Sequence, residues 1–60
     1  MIVYFVIDYE NTETYQFYNL EDALEWKNDL IDYFHVDENH ILLIERFYND
    51  VGFWTSQKYL

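Results

Sequence analysis

The sequence predicts an α+β domain, ββαββ in order, with one helix packed on a four-stranded sheet as a two-layer fold. Three observations predict it. Two pairs of short β-branched and aromatic runs flank the chain's middle, each pair joined by a polar turn. Between the pairs lies a stretch whose apolar residues recur at helical spacing. No linker, repeat or low-complexity segment interrupts the 60 residues, so the chain reads as a single domain over 1–60.

The first strand is expected over Ile2 to Tyr9. Ile2/Tyr4/Val6 and Val3/Phe5/Ile7 are both apolar sets, and a strand apolar on both faces belongs at the centre of a sheet. Glu10 to Glu13 form a polar turn, and Thr14 to Tyr18 return as a hairpin. Asn19 then has the chemistry of a helix N-cap, with Asp22 at the third helical position. The helix is expected from Leu20 to about Phe34, burying Leu20, Ala23, Leu24, Lys27, Leu30, Ile31 and Phe34, with Trp26 and Tyr33 on its flanks. Lys27 in that stripe either snorkels to the edge or pairs with an acid such as Glu45. His35 to His40 connect to a third strand, Ile41 to Tyr48. Asn49-Asp50-Val51-Gly52 is a tight turn with Gly52 supplying a positive φ, and Phe53 to Tyr59 close the sheet.

In length and element order this layout resembles the immunoglobulin-binding domain of protein G, which implies a β-grasp-like fold. The resemblance implies that strands one and four pair in parallel at the sheet centre. It carries no function, because one fold hosts many.

A chain this short buries only about 60% of the surface its unfolded form exposes. With 23% aromatic residues it gains burial from large rings. It has no cysteine, as expected in a reducing compartment, and its short N-terminal apolar run cannot span a bilayer. The expected location is cytoplasmic.

Charge carries most of the functional information. The net charge is −9, with Lys27, Arg46 and Lys58 the only lysines and arginines. Direct binding to nucleic acid or to an anionic membrane needs positive charge that this chain lacks. A basic protein surface is the natural partner. Glu21, Asp22, Glu25, Asp29 and Asp32 fall on the outer face of the expected helix, and Asp37 and Glu38 continue the charge into the loop. Like-charge neighbours at i,i+3 and i,i+4 cost a helix roughly 0.2–0.5 kcal/mol per pair. Glu21 to Asp32 span ~16 Å at ~1.5 Å per residue, so the five charges lie ~4 Å apart, close to the ~3.4 Å phosphate spacing of one DNA strand. The face either binds a basic protein surface, in its sharper form by standing in for a nucleic-acid backbone, or merely solubilises the protein. Trp26 and Tyr33, at its edge, are candidate desolvated anchors.

No chemistry-bearing motif competes with this reading. The single serine, Ser56, lacks a nucleophile elbow, and no phosphate loop is present. His35-Val36-Asp37-Glu38-Asn39-His40 matches no standard zinc or calcium spacing. A pocket of ~300 Å³ or more is not expected in so small a domain. The expectation is therefore a non-enzymatic protein with no catalytic residue, cofactor or metal.

Size, acidity and layout together resemble the small acidic phage-encoded inhibitors of host nucleic-acid enzymes, a class that includes anti-CRISPR proteins and other DNA mimics. That resemblance implies an inhibitor acting in the host cell cytoplasm. The alternative is a homodimeric structural or assembly protein joined through its open, aromatic sheet face, since one helix covers only one side of the sheet.

Overall fold

The computed structural model describes residues 1–60. Strands β1 (Ile2–Asp8) and β2 (Glu13–Phe17) precede a helix, α1 (Leu20–Asp32). A 3-10 turn over Glu38–His40 leads into β3 (Ile41–Tyr48) and β4 (Trp54–Tyr59). The four strands form one sheet in the order β2-β1-β3-β4, with the helix packed on it. Every neighbouring pair is antiparallel. The α+β class, the single helix and the ββαββ order agree with the sequence expectation, with boundaries shifted by one or two residues.

The expected parallel pairing of strands one and four is corrected. β1 pairs instead with β3, Val6 opposite Leu43, and β4 lies at the edge beyond β3. The reason is compositional. β3 is apolar on both parities from Ile41 to Ile44 and fills a central slot, whereas Thr55, Ser56, Gln57 and Lys58 suit a solvated edge. β2 and β3 therefore flank β1 and run the same way, a relation that needs a crossover element. α1 is that crossover.

The register sorts the side chains. Tyr4, Val6 and Asp8 of β1 share a face with Phe17, Tyr15 and Glu13 of β2 and with Glu45, Leu43 and Ile41 of β3. The core on this side joins Val6, Leu43 and Ile41 to Ala23 and Leu30 of the helix and to Val36. Each buried valine, leucine or isoleucine among them contributes roughly 1.5–3 kcal/mol.

The helix is rotated from the expected stripe. Ala23 and Leu30 are buried and Trp26 packs beside them, while Leu20, Leu24 and Phe34 are exposed. Trp26 stacks edge-on against Tyr15 of β2, with ring centroids 5.0 Å apart. That aromatic contact draws the helix toward β2 at the expense of the smaller Leu24. Lys27 is half-buried and unpaired, and Glu45 meets Lys58 at 3.6 Å instead.

Both helix ends are closed locally. The Asn19 side chain accepts from the Asp22 N–H at 2.8 Å, and its Nδ2 donates to Asp22 Oδ2 at 2.9 Å. At the other end His35 adopts φ 55°, and the Val36 N–H reaches back to the Leu30 carbonyl at 2.9 Å. This left-handed closure turns Val36, only 3% exposed, into the core. The β3–β4 turn is held by Asn49 Oδ1, which accepts from the Val51 and Phe53 N–H groups, with Gly52 at φ 92° as expected.

The opposite face of the sheet carries Val3, Phe5 and Ile7 beside Leu42, Ile44 and Arg46. No helix covers it, yet Val3 and Ile44 are buried. The Arg46 guanidinium lies 4.8 Å from the Phe5 ring centroid and 5.1 Å from that of Trp54. Its Nε donates to Gln57 Oε1 at 3.2 Å. One cation thus spans strands β1, β3 and β4 by cation–π contact.

Candidate functional site

The seven acids singled out from the sequence fall into two settings. On α1, Glu21, Asp22, Glu25 and Asp32 are exposed and Asp29 is partly covered. At 3.6 residues per turn the five span an arc of about 100° on the helix surface. They share one side of one rod. None of them has a cation within salt-bridge distance, because the molecule's two ion pairs are Glu10–His40 and Glu45–Lys58. Asp22 alone is engaged, through the N-terminal cap.

A trough of 510 Å³ runs between Glu21, Asp22, Leu24, Glu25, Asn28 and Asp29. It exceeds the volume expected of so small a domain, and it is a surface depression rather than a cavity. A second hollow of 230 Å³ joins Asp22, Glu25 and Asp29 to Phe17 and Trp26. Trp26 therefore borders the acids while also packing against the core. Tyr33, at the helix C-cap, is 77% exposed.

Asp37 and Glu38 are set differently. The Asp37 side chain caps the 3-10 turn by accepting from the Asn39 N–H at 2.9 Å. Its own N–H points to Glu10 Oε1 at 3.4 Å. The same carboxylate oxygen meets His40 Nδ1 at 2.8 Å. This hydrogen bond, reinforced by the charges of Asp37, Glu10 and Asp8, holds the His40 pKa above its ordinary value against a smaller opposing effect of burial. These groups tie the β1–β2 turn to the start of β3. No three histidine, aspartate or glutamate side chains gather to hold a metal ion.

The sequence reading missed a cavity beneath that corner. It measures 260 Å³ and is lined by Asp8, Asn11, Glu13, Tyr15, Trp26 and Phe34, among others. Asp8 is 1% exposed and ends β1 on the helix side of the sheet. Its two oxygens accept from the Asn11 N–H at 3.1 Å and from Asn11 Nδ2 at 2.7 Å. Tyr15 donates its hydroxyl to Glu13. Trp26 stands between Tyr15 and Phe34, 5.9 Å from the latter's centroid, with ring planes inclined at 64° and 54°. The Trp26 Nε1–H is buried without a partner, an arrangement that costs about 1–3 kcal/mol. The cavity draws on β1, β2, α1 and the segments that follow β1 and α1, which no local spacing could reveal. The available signal was an aspartate ending an otherwise apolar strand.

The hairpin behaves differently from the rest. Residues 41–60 hold Glu45 and Asp50 against Arg46 and Lys58, so they are formally neutral, and the whole −9 rests on residues 1–40. Burial raises the Tyr4 hydroxyl pKa, helped by the adjacent Glu45 carboxylate.

No family model, no curated protein and no solved structure matches this chain. No helix is long and apolar enough to cross a membrane.

Proposed function

We propose that this protein is a non-enzymatic acidic inhibitor that occupies the basic nucleic-acid-binding surface of a host enzyme by mimicking DNA. The observation that carries the reading is the helix face on which Glu21, Asp22, Glu25, Asp29 and Asp32 stand together with no cation of the chain beside them. A face kept only for solubility mixes in lysine and recovers the repulsion. Lysine or arginine from a partner would supply what the chain withholds, and the axial spacing of ~4 Å suits a groove shaped for phosphates spaced by ~3.4 Å. Phage origin and action in the host cytoplasm belong to the same proposal.

The test is capture from bacterial lysate at low and high salt, with duplex DNA as competitor and mass spectrometry as readout. Nucleic-acid-handling enzymes should be recovered at low salt and displaced by either treatment. The triple variant Glu25→Gln/Asp29→Asn/Asp32→Asn should lose them. Recovery that is equal at both salts and indifferent to DNA overturns the reading.

A homodimer joined through the open sheet face has its own observation, the exposed Trp54 and Tyr59 on the edge strand β4. Sedimentation across a concentration series decides it. Monomer throughout removes it, and self-association that survives the triple variant favours it over charge-driven capture.

A further inference from the structure

We infer that the cavity between Asp8, Glu13, Tyr15, Trp26 and Phe34 is a receptor for one arginine side chain of the partner. The inference rests on the reading of this protein as a binder of a basic surface, and it names where a single partner residue is read rather than merely attracted. Two independent features point to a guanidinium. The first is the carboxylate of Asp8, 1% exposed and lining the cavity, with Asn11 as its only hydrogen-bond partner. A carboxylate offers about four lone-pair sites, so two remain for a ligand. A buried charge without a cation is costly, and a cation entering the cavity offsets that cost. The second is the wall. Tyr15, Trp26 and Phe34 all line the cavity, with the Trp26 ring 5.0 Å from Tyr15 and 5.9 Å from Phe34 and inclined to them at 64° and 54°. Such rings attract cations, and a planar guanidinium can lie against them while its N–H fork meets Asp8 and the remaining oxygen of Glu13. No cation of the chain competes. No lysine, arginine or histidine lines the cavity, and neither of the molecule's two ion pairs, Glu10–His40 and Glu45–Lys58, involves its acids.

The entrance is accessible. Phe34 is 62% exposed, and Glu13 and Asn11 are exposed. The 260 Å³ cavity takes the head of one side chain and excludes a folded segment. It also adjoins the acid-lined hollow through Trp26, which lines both. A partner backbone lying along the helix could therefore send one arginine past Trp26.

The experiment is an NMR titration of the full chain, following the Trp26 indole N–H resonance, assigned by its persistence in Trp54→Phe. The probes are ethylguanidinium, its neutral isostere ethylurea, and an end-blocked Gly-Arg-Gly peptide. Ethylguanidinium and the peptide should move the resonance saturably, and ethylurea should not. Glu13→Gln should weaken both by about tenfold, the effect of one charge-assisted hydrogen bond. Phe34→Leu, at an exposed position, should also weaken both, so the test does not depend on altering the buried Asp8. The helix variant Glu25→Gln/Asp29→Asn/Asp32→Asn should keep probe binding while losing lysate capture. Equal response to ethylurea, or no saturable response to ethylguanidinium, overturns the site. Response to ethylguanidinium but not to the peptide makes it a site for a free small cation and overturns the partner arginine. If the probes fail while DNA-competed capture persists, this inference falls alone. If capture fails while the probes bind, the inhibitor reading falls and the cavity stands.

Discussion

The acids of the β1–β2 corner and the acids of the helix are chemically alike and physically opposite. At the corner, Asp8 accepts two hydrogen bonds from Asn11, Glu10 meets His40, and Asp37 caps a turn. On the helix, Glu21, Glu25, Asp29 and Asp32 meet no partner in the molecule. One set is spent holding the chain together. The other is a standing repulsion that folding must overcome. The difference teaches that a count of carboxylates says little until each is assigned a partner, and that binding candidates are those left over.

Four measurements break or sharpen this contrast, beginning with the largest effect. Asn11→Ala removes the Nδ2 donor and leaves the nearly inaccessible Asp8 with one backbone donor, so unfolding in urea should show a loss of about 1.5–3 kcal/mol. A loss near zero would erase the structural role given to the corner. Asn19→Ala removes the helix cap and frees the one helix acid that is tied down, at a cost of about 1 kcal/mol. Opposite in sign, Glu25→Gln/Asp29→Asn/Asp32→Asn should raise stability by roughly 0.2–0.5 kcal/mol for each like-charge pair relieved, with a further gain at Asp32 from the helix dipole. Added salt should narrow the difference between variant and parent, and a variant less stable than the parent would contradict the idea of an uncompensated face.

The smallest effect concerns pH. The His40 pKa is raised in the folded state, chiefly by its bond to Glu10. The histidine's contribution is therefore complete below its unfolded pKa of about 6.5 and fades as pH climbs through the higher folded value. His40→Gln should flatten thermal stability across that window. If parent and variant keep parallel pH profiles there, the tie between the turn and β3 contributes nothing.

Much of the fold was legible because local pattern dictates it. β1 and β3 declare themselves by apolar residues on both parities, Asn19 by its cap chemistry, and Gly52 by the positive φ its turn requires. Strand order was not read correctly, although the signal was present: the polar run Thr55 to Lys58 in β4 marks an edge, and the resemblance to protein G pulled it to the centre. Helix rotation was hidden, because a 100° periodicity cannot weigh Trp26 against Leu24. The ring won by finding Tyr15, which lies on another element. The cavity was hidden for the same reason, while the acid face was plain from spacing alone.

The neutral hairpin has a kinetic consequence. Arg46 is clasped between two rings and Lys58 is tied to Glu45, so the charge centroid lies toward the helix and corner, away from residues 41–60. Under the proposed reading, a molecule so polarised would turn as it approaches a basic groove and arrive helix first, before any side chain touches. Ionic strength should then govern how often it collides productively, and hardly how long it stays.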